Sequence, residues 1–311
     1  DQNTSRVLTT PTYSAYVKIG EGCNNGCTFC IIPHVRGPLY SRTVESVTAE
    51  VRQLAAGGVK EINLIAQDTT SYGFDLAGKS LLPDLLRELV KIEGIEWIRL
   101  FYLYPHFFTD ELTELIVKED KICPYVDLPL QHISQSVLKR MNRRDSQADI
   151  LKLIDKLTAH GRELTLRSTF IVGFPGETEE EFQELCDFVE RTKFDAVGVF
   201  TYSQEEGTPA AAMADQIPEE VKEERYHRLM AIQAKVSEER NRDLEGSVHP
   251  FIVEELTDES GHLQAVGRLD IQAPEVDGLT YVEDAKGLKE GDIIPVRVVQ
   301  GFAYDVIAER I

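Results

Sequence analysis

Three cysteines stand close together near the start of the chain. Cys23, Cys27 and Cys30 lie in the stretch GCNNGCTFC, residues 22–30, with C-x3-C-x2-C spacing and no fourth cysteine nearby. A loop of this kind can wrap one cubane iron–sulfur cluster and give thiolates to three of its irons. The fourth iron then stays open for a ligand that is not protein. The competing interpretation is a zinc site in which His34 completes a set of three cysteines and one histidine.

The elements that must position this loop follow from the hydrophobic pattern. Between Tyr16 and Ser203, short β-branched runs alternate with amphipathic segments, which predicts right-handed βαβ units and a parallel sheet. Six such units predict an open, partial (βα)6 barrel, with the cysteine loop at the carboxyl edge of its strands. Thr178 and Glu181 form a capping-box signature at the start of one helix. The predicted strands are residues 16–20, 61–67, 97–103, 125–131, 164–173 and 196–203.

After the sheet the pattern changes twice. A charged stretch at residues 218–246 predicts one long helix, and the short strands beyond it predict a small antiparallel β-barrel of about five strands. Because the chain starts at Asp1 on a polar, Thr-rich stretch, we expect an upstream domain to be missing. The predicted division is a linker remnant (1–15), the partial barrel (16–217), a connecting helix (218–245) and the small barrel (246–311).

Composition limits the compartment and the partners. With 42% hydrophobic and 28% charged residues, the chain has the composition of a globular protein, and no apolar run approaches membrane-spanning length. Its 5 cysteines are too few for a disulfide framework, which indicates a reducing, cytoplasmic compartment. The 53 acidic and 33 basic side chains give a net charge of −20. Such a charge repels polyanions and attracts basic partners.

Several motifs resemble those of a known family. GCNNGCTFC, with Phe29 as a candidate cofactor contact before the last cysteine, resembles the signature of radical S-adenosylmethionine (SAM) enzymes. Residues 246–311 are similar to a TRAM domain, and the similarity covers nearly all of the chain. The remaining motifs are similar to the methylthiotransferases of that superfamily, above all to the branch that modifies a ribosomal protein: AQDTTSYG, DLPLQHISQSVLKRMNR, LRSTFIVGFPGETEEEF, YSQEEGTPAA and APEVDG.

The resemblance implies a reaction. The open iron of a 4Fe–4S cluster takes the amine and carboxylate of SAM, and an electron from a donor then cleaves the sulfonium. The resulting 5′-deoxyadenosyl radical takes hydrogen from an unactivated carbon, and a methylthio group is attached to the β-carbon of an aspartate in ribosomal protein S-twelve. The family places a second cluster, the sulfur carrier, on an upstream domain. Without that domain we expect SAM cleavage but no methylthio product.

Polar residues at successive strand ends are the candidate SAM contacts that the resemblance implies. Gln67 and Asp68 suit the methionyl ammonium, and Gln131 offers a further contact. Arg167 suits the carboxylate through its planar fork. Each has a simpler alternative, since Asp68 could be a turn or N-cap residue and Arg167 a surface ion pair.

Two glycines and three charged or titratable residues complete the candidates. Gly173 and Gly176 would let the backbone approach the adenosine closely, although they could equally form an ordinary strand-to-helix turn. His132 is expected to be structural rather than catalytic. Arg36 and Arg42 either line the pocket or face solvent.

Two substrates compete within the family, an adenosine of transfer RNA and the ribosomal protein. TRAM-like barrels often bind RNA, which requires a basic surface. Residues 246–311 carry 13 Asp and Glu against 5 Lys and Arg, a net charge of −8, which suits a basic protein and makes RNA binding unlikely. The protein substrate is therefore preferred. A hypothesis of another class is a non-enzymatic zinc-loop protein whose small barrel is an interaction module.

Overall fold

Six parallel strands form the frame of the larger domain in the computed structural model, which describes residues 10–159, 164–259 and 262–311. Most of the predicted linker therefore lies outside the described residues. A short antiparallel pair, β2 with β3, follows the first strand. The strands of this domain are β1 Ser14–Lys18, β2 Gly20–Glu21, β3 Tyr40–Ser41, β4 Glu61–Ile65, β5 Trp97–Leu100, β6 Tyr125–Gln131, β7 Thr165–Val172 and β8 Ala196–Thr201.

These strands lie side by side in chain order. β1, β4 and β5 pair in parallel, as do β6, β7 and β8. The two groups meet where the Cys123 amide donates to the Ile98 carbonyl at 3.0 Å and the Leu103 amide to the Asp127 carbonyl at 2.9 Å. No pairing joins β8 back to β1 among the described residues. The predicted open (βα)6 barrel is confirmed.

The strand bounds differ from the prediction where the backbone turns. β1 begins at Ser14, two residues before the predicted Tyr16. β4 ends at Ile65 because Asp68 caps a short 3-10 helix directly afterwards. β5 ends at Leu100, since Tyr102 has a φ of +56°, which lies outside the extended region of a regular strand.

Amphipathic helices cover the outside of the sheet. On α4, for example, Leu82, Leu85 and Leu89 repeat at helical spacing and are buried. The capping box of α8 is confirmed, because the Thr178 side chain accepts from the Glu181 amide and the Glu181 carboxylate accepts from the Thr178 amide. The helices are α1 Ile32–Arg36, α2 Val44–Ala56, α3 Phe74–Ala77, α4 Leu82–Leu89, α5 Asp110–Lys118, α6 Gln135–Arg140, α7 Gln147–Thr158, α8 Glu179–Thr192 and α9 Glu219–Asp243.

α9 is the predicted long connecting helix. Near its start Arg225 donates to the Glu177 carbonyl at 3.1 Å, and near its end Asn241 donates to the Phe302 carbonyl of the small barrel at 2.7 Å. The chain leaves the helix through Gly246, which has a φ of +87°. Within the part of the chain that the structure describes, no helix is long and apolar enough to cross a membrane.

Five strands close into the small barrel. Its strand order is β10-β11-β13-β12-β9, and β9 pairs back with β10. Four pairings are antiparallel as predicted, whereas β11 and β13 pair in parallel. β12 pairs antiparallel with β9, and β13 pairs antiparallel with β12, so β13 runs in the direction of β9. β11 also runs in that direction, and the pair of β11 and β13 is therefore parallel. The strands are β9 Val248–Glu259, β10 His262–Leu269, β11 Thr280–Glu283, β12 Ile293–Gly301 and β13 Val306–Arg310.

The small barrel packs against the amino-terminal ends of the parallel strands through a buried ion pair. Arg268 on β10 contacts Glu61, the first residue of β4, at 2.7 Å, and Arg99 lies 3.4 Å from the same carboxylate. Arg99 also donates to the Asp270 carbonyl at 2.9 Å. Burial alone would raise the pKa of Glu61, but Arg268 and Arg99 hold it at about 2. The two domains are therefore joined by charges that are buried from solvent.

Glu61→Gln is expected to lower the free energy of unfolding by about 3–5 kcal/mol, because Arg99 would stay buried without its countercharge and Arg268 would keep only the partly exposed Glu254. Urea unfolding near neutral pH measures the loss. Arg297→Gln is the control, since it breaks an exposed pair with Glu309 and should cost less than about 1 kcal/mol.

The same pair predicts a pH dependence. The folded pKa of Glu61, about 2, lies below its ordinary value of 4.5, so its contribution is complete above that value and is lost as the pH falls toward the folded pKa. The parent should therefore lose stability between these pH values faster than Glu61→Gln does. Equal stability of Glu61→Gln and the parent at neutral pH would contradict the account.

Candidate functional site

The cysteine loop follows β1 and β2 at the carboxyl end of the barrel. Gly22 starts it with a φ of +74°, and a Cβ there would lie 2.2 Å from the Pro38 carbonyl oxygen, so the backbone path requires glycine. The Cys23 amide donates to the Gly37 carbonyl at 3.2 Å. The three half-buried cysteines line one cavity of about 410 Å³ together with Asn24, Asn25, Gly26, Pro33, His34, Pro38 and Pro209.

The donor chemistry of this cavity fits a cluster. The Asn25 amide donates to Cys23 Sγ at 3.4 Å, and burial raises the pKa of the Cys23 and Cys30 thiols. The positive charge of bound iron would offset the effect of burial on these pKa values and favour the thiolates. No three His, Cys, Asp or Glu side chains in the described ranges surround a single ion position. Three cysteines that line one cavity fit a cluster with three thiolate ligands.

Asp68 fixes the cysteine loop to the end of β4. It is almost fully buried, and its Oδ2 accepts from Asn25 Nδ2 at 2.7 Å. Its Oδ1 accepts from the Thr70 hydroxyl at 2.7 Å and from the Ser71 amide at 3.1 Å, which makes it the N-cap of the 3-10 helix. The simpler alternative, a capping residue, thus describes its contacts. Its contact with the SAM ammonium stays a prediction.

Gln67 follows β4 and Gln131 ends β6, two strands that β5 separates. Gln67 Nε2 donates to Glu21 at 3.1 Å, while its Oε1 is buried without a hydrogen-bond partner among the described residues. An unpartnered acceptor of this kind suits a cationic donor. Gln131 ends β6 with a φ of +72°, a backbone conformation that is unusual outside glycine.

The loop after β7 carries both candidate glycines. Gly173 and Gly176 have φ values of +72° and +74°, and the buried Glu177 carboxylate accepts from the Gly173 and Phe174 amides. A Cβ at position 173 would lie 2.3 Å from Lys222 Cγ on α9. The close approach at Gly173 is therefore made by α9, and an approach of adenosine to this loop stays a prediction.

Arg167 lies elsewhere, at the end of the barrel that the small barrel covers. Its Nη1 contacts Asp127 at 2.9 Å, and its Nε lies 3.6 Å from Asp277, which belongs to the segment between β10 and β11. Asp277 also accepts from the Tyr125 hydroxyl at 2.6 Å. The sequence left an ion pair open as the alternative for Arg167. The structure has such a pair, but a largely buried one between domains rather than one on the surface.

The remaining candidates have structural contacts. His132 is fully buried, its Nδ1 accepts from the Ser134 amide at 3.0 Å and its Nε2 lies 3.6 Å from Glu177, as expected of a structural histidine. Arg36 and Arg42 pair with glutamates and neither lines the cysteine cavity. Phe29 packs partly buried against an apolar cluster beside the loop.

Sequence reasoning missed one contact of the cysteine loop. Arg143 Nη1 lies 3.7 Å from Cys27 Sγ. Arg143 is the last residue of the stretch DLPLQHISQSVLKRMNR, which was noted for its resemblance but gave no role to this arginine. No local pattern identifies the contact, because 116 residues separate the two side chains.

Comparison with known proteins identifies the family. A family model of the radical SAM superfamily matches residues 17–189, and a TRAM domain model matches residues 245–311. A ribosomal protein uS12 methylthiotransferase RimO from Syntrophotalea carbinolica is 52% identical over 309 residues, which are 99% of this chain and 68% of the relative. The chain belongs to the RimO family of radical SAM methylthiotransferases. A RimO from Geobacter sulfurreducens is 50% identical, over 100% of this chain and 69% of its own length.

Solved structures agree on the fold. Coproporphyrinogen III oxidase (HemN) from Escherichia coli, a radical SAM enzyme, has a TM-score of 0.52 at 17% identity, over 72% of this chain and 53% of that one. The methyltransferase TsrM from Kitasatospora setae, solved with cobalamin and a 4Fe–4S cluster, has a TM-score of 0.51 at 20% identity, over 63% of this chain and 38% of that one. As a RimO-family member, the chain uses a 4Fe–4S cluster and SAM.

Replacing Cys23, Cys27 or Cys30 singly with alanine is expected to reduce bound iron and acid-labile sulfide to about half or less, because a second iron would lose its protein ligand. Anaerobic reconstitution followed by iron and sulfide analysis measures this. Cys186→Ala removes a buried thiol on α8 and should keep the parental content. Parental content in all three loop variants would remove these cysteines from the cluster site.

Proposed function

We propose that this chain acts in the attachment of a methylthio group to the β-carbon of an aspartate in ribosomal protein uS12, the protein called S-twelve above. The observation that carries the proposal is the three-cysteine cavity at the carboxyl end of a partial barrel, in a chain about half identical to RimO proteins over nearly its whole length. When bound, the cluster and SAM supply the one-electron chemistry that removes hydrogen from an unactivated carbon.

The residues of the chain divide the remaining work. Cys23, Cys27 and Cys30 bind the cluster, and the hydrogen bond from Asn25 to Asp68 keeps their loop on the end of β4. A loop held in this way needs little rearrangement when the cluster binds, which favours binding.

SAM contacts are proposed for residues around this loop. Gln67 offers its unpartnered Oε1 to the methionyl ammonium, with Asp68 supplying negative charge behind it and Gln131 a further polar contact. Phe29 and the Gly173–Gly176 turn are proposed as further contacts of the cofactor. The turn is held by the Gly176 amide, which donates to the Asp215 carbonyl at 2.7 Å.

The charge of the small barrel supports a basic protein substrate. Arg268 is buried against Glu61, and Arg297 pairs with Glu309. Arg310 donates to the backbone carbonyls of residues 284 and 286. Three of the five Lys and Arg side chains of this domain are thus engaged, whereas its carboxylates outnumber all five and would attract the Lys and Arg of a ribosomal protein.

Transfer RNA is the second candidate substrate. Phe302 and Tyr304 are exposed at the turn between β12 and β13, and exposed aromatic rings can stack on bases. The net charge of −8 over residues 246–311 opposes the phosphate backbone, so this candidate is the weaker one. The cytoplasm is the proposed compartment, because ribosomal proteins are made there and all five cysteines are free thiols.

Deuterium transfer tests the substrate without depending on sulfur insertion. The reconstituted chain is incubated with SAM, a strong reductant and uS12 deuterated on its aspartate β-carbons, and we expect deuterium in the 5′-deoxyadenosine released. uS12 deuterated on its glutamate side chains is the control and should give none. Transfer from labelled adenosine of transfer RNA, with none from labelled uS12, would overturn the protein substrate.

Arg167→Ala separates two roles of this arginine. Because its partners are Asp127 and Asp277, we expect the free energy of unfolding to fall by about 3 kcal/mol, while SAM affinity stays within about twofold. Urea unfolding and calorimetric titration with SAM measure the two effects. A loss of SAM affinity of about 1.5–3 kcal/mol in the folded variant would assign Arg167 to the SAM site as the sequence predicted.

A further inference from the structure

Arg143 is the cationic side chain that reaches a cluster cysteine. Its Nη1 lies 3.7 Å from Cys27 Sγ, within hydrogen-bonding distance for sulfur. Among the described residues, no other Lys or Arg side chain donates to Cys23, Cys27 or Cys30, whereas the Asn25 amide serves Cys23. A full positive charge is therefore directed at one of the three thiolates.

Two contacts fix this guanidinium in place, and a third holds the backbone of Arg143. It stacks on Tyr104 with its Cζ 3.9 Å from the ring centroid, and its Nη2 donates to the Pro129 carbonyl at 2.9 Å. The Arg143 amide donates to the Leu138 carbonyl at 2.9 Å. Tyr104 is held in turn, because its amide donates to the Thr70 hydroxyl at 2.9 Å. The cation needs no rearrangement to meet a thiolate.

The charge of Arg143 is also free to act on the cluster. No carboxylate lies within 4.0 Å of its guanidinium nitrogens in the described part of the chain, although most other arginines around the barrel are in such pairs. Two buried carboxylates, Asp68 and Asp145, interact with its charge at longer range. Half-buried, the guanidinium is screened less by water than a surface charge is.

We propose that Arg143 raises the reduction potential of the cluster and so makes the reducing electron easier to accept. One electron from a one-electron donor enters the cluster, no proton is taken up, and the cluster with its three thiolates becomes more negative by one unit. A fixed cation beside Cys27 stabilises that reduced form more than the oxidised form, as hydrogen bonds and charges near cluster sulfurs do. The proposal rests on the cluster and not on the identity of the substrate.

The test is a redox titration of the reconstituted cluster, followed by electron paramagnetic resonance, in the absence of SAM and uS12. Arg143→Gln is expected to make reduction about tenfold less favourable, which for one electron is a potential about 59 mV lower. Arg144→Gln is the matched control: its guanidinium lies on the same loop and donates to the Asn24 carbonyl at 3.4 Å, but contacts no sulfur. The control should keep the parental potential.

A second pair of variants covers the case in which Arg143→Gln does not retain the cluster. Tyr104→Leu removes the ring that holds the guanidinium and should lower the potential, whereas Tyr104→Phe keeps the ring and should not. Equal potentials for Arg143→Gln and Arg144→Gln, or for the two Tyr104 variants, would overturn the proposal. It would equally be overturned if Arg143→Gln weakened SAM binding while leaving the potential unchanged, since Arg143 would then be a SAM contact.

Discussion

The site depends on one buried carboxylate. Asp68 accepts from Asn25 in the cysteine loop and from Thr70 and Ser71 beyond β4, so a single side chain fixes the loop to the strand end. Burial raises its pKa, and the hydrogen bonds from Thr70 and Asn25 oppose that rise. A buried carboxylate is costly unless such donors surround it. The loop geometry and the charge of Asp68 therefore stabilise each other.

From Asp68 the contacts continue to a second cysteine. Thr70 accepts from the Tyr104 amide, the Tyr104 ring supports Arg143, and Arg143 reaches Cys27. On the other side of Asp68, the backbone amide of Asn25 donates to Cys23 Sγ. Two of the three proposed cluster ligands are thus oriented by one continuous set of contacts across the ends of β4, β5 and β6. Hydrogen bonds of this kind around metal ligands tune the metal as well as hold it.

The sequence predicted what local patterns determine. Alternating strands and helices predicted the six-stranded barrel, and Thr178 and Glu181 predicted the capping box. The cysteine spacing predicted a cluster loop, and the three cysteines line one cavity. The predicted strand ends were less accurate. The turn at Tyr102, for example, has a positive φ at a residue that is not glycine, so the sequence gives no local signal for it. The parallel pairing of β11 with β13 also depends on the path of the whole small barrel.

Long-range partners were beyond the reach of these patterns. Arg167 was expected to contact the carboxylate of SAM. One of the carboxylates that it contacts in the structure is Asp277, which lies 110 residues later in another domain. Arg143 was passed over for the same reason, since its sulfur partner belongs to a distant loop. In both cases the residue type indicated which kind of partner the side chain would bind. It could not indicate where in the sequence that partner lies.

The connecting helix α9 has contacts with both domains. α9 spans 25 residues, a length of about 37 Å, and packs through Lys222 and Arg225 on the Gly173–Glu177 turn and through Asn241 on the small barrel. Because Lys222 fills the space where a Cβ at position 173 would lie, a displacement of the helix would press on that turn. A ribosomal protein that tilted the small barrel on docking would therefore move the turn at the far end of the same helix.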